Sequence, residues 1–230
     1  MRSVILPSPE VTRLPELRRS TTLFSQGQVA DSIYFVEDGL LKMSRRNEIG
    51  GRIILTIRGA GHLVGEESLA AGAPTYYTEA DVLSTATIYR IPREVLDRAI
   101  TTNPEFSAAL ISYLLERRMA LAEKVELLCL HDVEYRILHY LAELSSVVKP
   151  VPDAEGYQLP ITQLELADLI GATRETTSTT LNQLERRGLL KLSRRMLTVP
   201  SPETLRHAAA ARVNNGTSPA VNSSAETAQV

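Results

Sequence analysis

The hydroxyl row Thr176, Thr177, Ser178, Thr179 and Thr180 follows Thr173-Arg174-Glu175 and precedes Leu181 and Leu184. These β-branched and hydroxyl residues are poor helix formers, each weaker than alanine by a few tenths of a kcal/mol or more. A helix built from them needs packing from Leu181, Leu184 and a preceding helix. In return, its N-terminus and its hydroxyls suit phosphate oxygens and base edges. The functional reading is a recognition helix in a DNA major groove; the alternative is a helical hairpin whose threonines form a solvated face.

Positioning such a row takes two helices and a sharp turn, and ITQLELADLIGATRETTSTTLNQLERRGLL (residues 161–190) supplies them. Thr162 with Glu165 is a capping box, and Leu166, Ala167, Leu169 and Ile170 follow at helical spacing until Gly171. Gly171-Ala172 permits the turn, Thr173 caps a second helix running to about Arg187, and Gly188 ends it. That is a helix-turn-helix pattern. Beyond it, LLKLS and MLTVPSP flank Arg194-Arg195 as a two-stranded wing with a basic tip.

The chain has 230 residues and a formal charge of −2. Residues 1–159 carry 17 Lys+Arg against 21 Asp+Glu (−4), residues 160–207 carry 7 against 5 (+2), and residues 208–230 carry 1 of each. The small basic surplus therefore lies with the helix-turn-helix and is compatible with DNA. No stretch approaches the roughly 18 apolar residues of a membrane helix, and the Pro-broken N-terminus is no secretory signal, so a cytoplasmic location without membrane contact is expected. The one cysteine, Cys129, rules out an intrachain disulfide framework and a cysteine-ligated iron–sulfur site.

Residues 1–20 read as a lead-in with one short helix near Pro15–Arg19. From Thr21 the pattern becomes short β-branched or aromatic runs every 8–12 residues, divided by Gly, Asp or Asn turns: TLFSQG, SIYFVEDG, LLKMSRR, GRIILTIRG, HLVGEESL, YYTEADVLS and ATIYRIP. This predicts a small antiparallel sandwich or roll. A short helix over Arg93–Ile100 follows, and after Asn103-Pro104 a long one in which Leu114, Leu121 and Leu128 recur every seven residues, with Ile111 and Val125 on the same side. Such a seam fits a two-fold partner helix, although Arg118 interrupts it. VEYRILHYLAELSSVV is a further amphipathic helix, VKPVPDAEGYQLP a loop, and the chain from Ala208 a disordered tail.

Taken together, GQVADSIYFVEDGLLKMS, HLVGEESL, EKVELLCLHDVEYRIL and the helix-turn-helix, in that order over residues 20–200, resemble the Crp/Fnr family of bacterial transcription regulators. The resemblance implies an α+β fold: an antiparallel β-roll of the cyclic-nucleotide-binding type (1–103), a dimerisation helix (104–131), a winged helix-turn-helix (132–207) and a tail (208–230). It implies a homodimer on palindromic double-stranded DNA. Arg174 and Glu175 fall where the family contacts base edges, with Ser178 and Thr179 on the same helix face, and Thr162, Thr173, Thr176 and Arg195 fall at phosphate positions. The chemistry agrees, since arginine donates twice to guanine O6/N7 and a carboxylate accepts from cytosine N4. Thr179 stands where the family often has arginine, which alters the expected half-site. The loop Lys149–Tyr157 corresponds to one that touches RNA polymerase in activating members.

The family's cyclic-nucleotide sites use a Gly-Glu for the ribose, an Arg-Ser pair for the phosphate and polar residues on the dimer helix. Here Gly65-Glu66 match the first, but Tyr76-Tyr77 and Leu121-Ala122 occupy the other two. These residues form the candidate effector pocket. A phosphodiester requires a cation or amide donors, and Glu66-Glu67 add repulsion, so control by cyclic AMP is not expected. Arg58 and Arg90 are further cations that the sequence does not direct to the pocket. An unknown organic effector, or none, is expected; a cyclic nucleotide, haem bound through His62, His131 or His139, and a thiol switch at Cys129 are the alternatives. No cofactor or metal is expected. A cupin-like enzyme would need His-x-His, which is absent, so catalysis is not expected; a protein-interaction module is the remaining rival.

Overall fold

The computed structural model describes residues 2–70, 75–148 and 156–214. After a one-turn helix α1 (Arg2–Ile5) and a two-residue strand β1 (Thr12–Arg13), the chain forms β2 (Thr22–Phe24), β3 (Ser32–Asp38), β4 (Leu41–Arg46), β5 (Arg52–Arg58), β6 (Leu63–Val64), β7 (Glu79–Val82) and β8 (Thr87–Pro92). Each of the seven runs read as strands contains one of β2–β8. They pair antiparallel in two four-stranded sheets, ordered β1-β8-β3-β6 and β2-β7-β4-β5. Phe24, Tyr34, Val36, Leu41, Val82 and Ile88 fill the core between them. Gly39 makes the β3–β4 turn at φ +91°, where an added Cβ would lie 2.4 Å from the Thr85 carbonyl oxygen, so only glycine fits.

The short helix near Pro15–Arg19 is not formed. Leu17 instead bridges Ala86, and Leu14 and Leu17 lie against the roll core, because two more apolar side chains can close the sheet edge there.

A pair of helices leaves the roll: α2 (Arg93–Thr102) and the 27-residue α3 (Pro104–Leu130). Asn103 caps α3 through its side chain, which accepts from the Phe106 amide at 2.9 Å, and Pro104 opens the first turn without needing an amide partner. One face of α3 packs Phe106, Leu110 and Tyr113 into a second core with Ile33, Ile91 and Leu96. Its other face stays uncovered: Ile111, Leu114, Leu121 and Val125 are exposed, and so are Leu115 and Met119. Leu128 departs from that row. It is half-buried, with its Cδ2 against Gly171 of the helix-turn-helix.

The C-terminal part comprises α4 (Val133–Val147), β9 (Tyr157–Leu159), α5 (Gln163–Ile170), α6 (Arg174–Arg186), β10 (Lys191–Leu192), β11 (Leu197–Val199) and α7 (Pro202–Asn214). The wing is three-stranded, ordered β10-β11-β9, because the end of the presumed loop pairs with β11. The chain does not become a tail at Ala208: α7 continues to Asn214 and packs along α4, with Leu205 and Ala209 buried, because these apolar side chains find a partner surface on α4. Arg212 seals it by pairing with Asp132 at 2.7 Å and Glu134 at 3.2 Å. Most of the loop Lys149–Tyr157, and residues 215–230, lie outside the described residues. Among the described residues no helix is long and apolar enough to cross a membrane.

Candidate nucleic-acid interface

The helix-turn-helix is organised from its caps. Thr162 Oγ1 accepts from the Glu165 amide at 3.1 Å, while the Glu165 carboxylate accepts from the Thr162 amide at 2.9 Å, completing the capping box. Gly171 ends α5 at φ +63°, and Thr173 caps α6 by accepting from the Thr176 amide at 3.2 Å. Leu166, Leu169, Ile170, Leu181 and Leu184 form the core that holds α6 to α5.

The threonine run serves two purposes. Thr177 is fully buried and donates to the Thr173 carbonyl at 2.8 Å, and Thr180 donates to the Thr176 carbonyl at 2.9 Å, so these hydroxyls are satisfied by the helix itself. Thr173, Arg174, Glu175, Thr176 and Thr179 are exposed and Ser178 is half-buried. Among the described residues Arg174, Arg194 and Arg195 take part in no ion pair, so their donors face solvent at the mouth of α6 and the wing. Arg187 differs: it pairs with Glu134 of α4 at 2.6 Å.

Thr162 is half-buried, and the capping carboxylate beneath it is committed to the roll. Glu165 accepts from Lys42 at 2.9 Å and from Arg19 at 2.9 Å, and Lys42 also lies 3.7 Å from Asp81. Arg52 sits 3.5 Å from Asp168. Burial alone raises a carboxyl, but in Glu165 the Lys42 and Thr162 hydrogen bonds overcome it and hold the group below its ordinary range; Asp168, less well paired, is pushed up by burial.

The candidate effector residues divide. Glu66, Tyr77 and Leu121 line a cavity of about 410 Å³ between the roll and α3, together with Arg58, Arg117 and Arg118. Gly65 and Tyr76 do not. Tyr76 is a core residue, 1% exposed, stacked 3.9 Å from Phe24 and donating to the Ser32 carbonyl at 2.6 Å. Its position in β-roll core packing removes it from any ligand. The cavity is not short of cations, as the sequence had implied: β5 turns Arg58 into it and α3 supplies Arg117 and Arg118, whereas Arg90 is held outside by Asp31 and Ser32. Burial, then the neighbouring Arg117, pull the Arg58 guanidinium down, and burial pushes Glu66 up.

The histidines serve locally. His62 Nδ1 lies 3.0 Å from the Gly59 carbonyl, His131 stacks on Tyr135 at 3.9 Å, and His139 approaches Glu123 at 3.9 Å. Cys129 is exposed.

Residues 14–103 match the cyclic nucleotide-binding domain family and residues 135–208 the Crp-like helix-turn-helix domain family. The cAMP-activated global transcriptional regulator CRP of Haemophilus influenzae is 28% identical over 170 residues, 74% of this chain and 76% of that protein. The global nitrogen regulator of Synechocystis is 26% identical over 189 residues, 81% of this chain and 84% of that one. Among solved structures, the c-di-GMP responsive global regulator CLP of Xanthomonas campestris superposes with a TM-score of 0.69 at 25% identity, covering 84% of this chain and 95% of that chain. With both domain families matched in this order, on a roll, a long helix and a winged helix-turn-helix, the chain belongs to the Crp/Fnr family of DNA-binding transcription regulators.

Proposed function

We propose that the protein binds palindromic double-stranded DNA as a homodimer, with α6 of each subunit in successive major grooves, and that it does so without control by cyclic AMP. The observation that carries the dimer is the exposed row Ile111, Leu114, Leu121 and Val125, an apolar seam at heptad spacing beside the face of α3 that is already buried. Two half-sites about one DNA turn apart then match the two-fold symmetry, a geometry taken from the motif in general. Arg174, Glu175, Ser178 and Thr179 contact bases, and Thr162, Thr173, Thr176 and Arg195 contact phosphates. Family members are transcription regulators rather than enzymes, and no catalytic role is assigned to this chain.

The effector reading rests on Tyr76 and Leu121. A tyrosine locked in the core replaces the phosphate-binding arginine, and an apolar side chain replaces the polar residues that face a base. The relatives' names point to different ligands, cAMP for one and c-di-GMP for another, so none transfers by similarity. A second reading, control by an organic anion other than cyclic AMP, is favoured by Arg58, Arg117 and Arg118 lining one cavity.

Base contact is tested at Arg174. The Arg174→Ala variant is expected to weaken binding to the selected site by about 1–3 kcal/mol while binding to random DNA persists. Competition binding at fixed salt reads both affinities, and equal losses on the two DNAs would remove Arg174 from the base-reading set.

A further inference from the structure

The buried face of α3, bordering the exposed seam, carries a lysine where a helix in contact with a core would ordinarily place an apolar residue. Lys124 is 5% exposed. Its Nζ donates to the Ile54 carbonyl in β5 at 2.8 Å and to the Leu169 carbonyl in α5 at 2.8 Å, and it lies 5.1 Å from the Tyr140 ring centroid in α4. Among the described residues no carboxylate comes within ion-pair distance of it. We infer that Lys124 is the positioning residue through which the dimer helix fixes the orientation of the helix-turn-helix.

An ammonium buried without a counter-ion is unfavourable, and burial pulls this one down to about 8. A methionine of similar length would fill the same space without that cost, so volume alone does not account for a lysine. What the ammonium adds is three donors radiating from one atom. Two of them reach backbone carbonyls in different domains, and neither carbonyl can be satisfied by a methyl group. The Leu169 carbonyl belongs to the last turn of α5, where carbonyls lack intrahelical partners and the helix dipole favours a cation. Two further contacts hold the same turn: Arg136 Nη1 donates to the Ile170 carbonyl at 2.8 Å, and Leu128 Cδ2 packs so closely on Gly171 that an added Cβ would lie 2.9 Å from it. Lys124 and Leu128 stand one helical turn apart on α3, and the residues they touch end α5 and begin the turn that aims α6. Because α5 and α6 share a packed core, any displacement of α3 at Lys124 is delivered to the recognition helix.

This inference rests on the homodimer proposed above, because only a pair of recognition helices has a spacing to fix. The test uses full-length protein and a series of duplexes whose inverted half-sites are moved apart one base pair at a time. Wild-type protein is expected to favour one spacing over its neighbours by roughly ten-fold, and Lys124→Met to flatten that preference to within about two-fold while remaining dimeric and keeping its affinity for random DNA. A purely structural role would lower thermal stability and leave the preferred spacing where it was. If the Met variant does not fold, Lys124→Gln, which removes the charge and keeps a donor, is expected to show a partly flattened preference. An unchanged spacing preference in whichever folded variant is measured overturns the role of Lys124. Absence of any preference in the wild type would instead overturn the homodimer.

Discussion

Replacing Ile111 and Val125 together with glutamate is expected to give a folded monomer whose affinity for a two-half-site operator falls by about 10²–10⁴-fold. Both positions are more than half exposed in the single chain, at 58% and 54%, so neither substitution removes core packing. They lie two heptads apart on α3 and would face their own copies across a parallel seam. Glutamates there set like charges against each other at two levels and withdraw apolar surface from the interface. The second half-site then binds as a separate event and no longer gains from being tethered. Sedimentation velocity reports the mass and a mobility-shift titration the affinity. A variant that stays dimeric, or a monomer that binds the full site as tightly as wild type, would contradict the seam.

Replacing Glu165 with alanine is the second large effect, expected at about 3 kcal/mol of lost stability. Glu165 completes the α5 capping box and is the shared partner of Lys42 and Arg19. Losing the cap costs about 1 kcal/mol. Leaving Lys42, 9% exposed, without its nearest carboxylate adds to that, and Asp81 at 3.7 Å keeps the total at the lower end of the roughly 3–5 kcal/mol seen when a buried pair is broken. For a chain of this size the melting temperature should drop by roughly 6–12 °C. The pH dependence has a definite sign. The folded state holds Glu165 below the 4.5 of an ordinary glutamate, so its contribution is present above that value and is lost as pH falls through the lower folded value. Asp168, raised by burial, runs the other way and partly offsets it. Calorimetry from pH 7 down to pH 3 should show the wild type and Glu165→Gln converging in stability as the medium is acidified; parallel curves would mean that this carboxylate does not link the roll to α5.

Much of the architecture was legible because its signals are local. The capping box at Thr162–Glu165, the glycine stops at Gly171 and Gly188, the Asn103-Pro104 helix start and the alternation of the strands each specify backbone geometry within a few residues. What escaped depends on tertiary partners. Lys124 and Arg187 look like surface charges in a helical pattern, and only the approach of Leu169 and of Glu134 gives them their roles. Tyr76 and Tyr77 are identical neighbours just before β7, yet the first is stacked on Phe24 in the core and the second lies at the cavity with Arg45 3.7 Å over its ring. Arg58 could not be aimed from sequence because a register shift in the β4–β5 pairing between Met43 and Ser44 breaks simple alternation. The Ala-rich stretch of α7 resembles a tail in composition, but Leu205, Ala209 and the ion pairs of Arg212 anchor it to α4. The two carboxylates that α4 presents at its start, Asp132 and Glu134, gave no hint of those partners.

Ligand-independent recognition of a two-fold DNA site is tested by selecting bound duplexes from a random library with purified protein and no added ligand. The expected result is a consensus of two inverted half-sites about 10–10.5 base pairs apart, centre to centre, with a guanine opposite Arg174. A single unrepeated half-site would contradict the homodimer, and a consensus that emerges only when cyclic AMP is added would contradict ligand-independent reading of DNA.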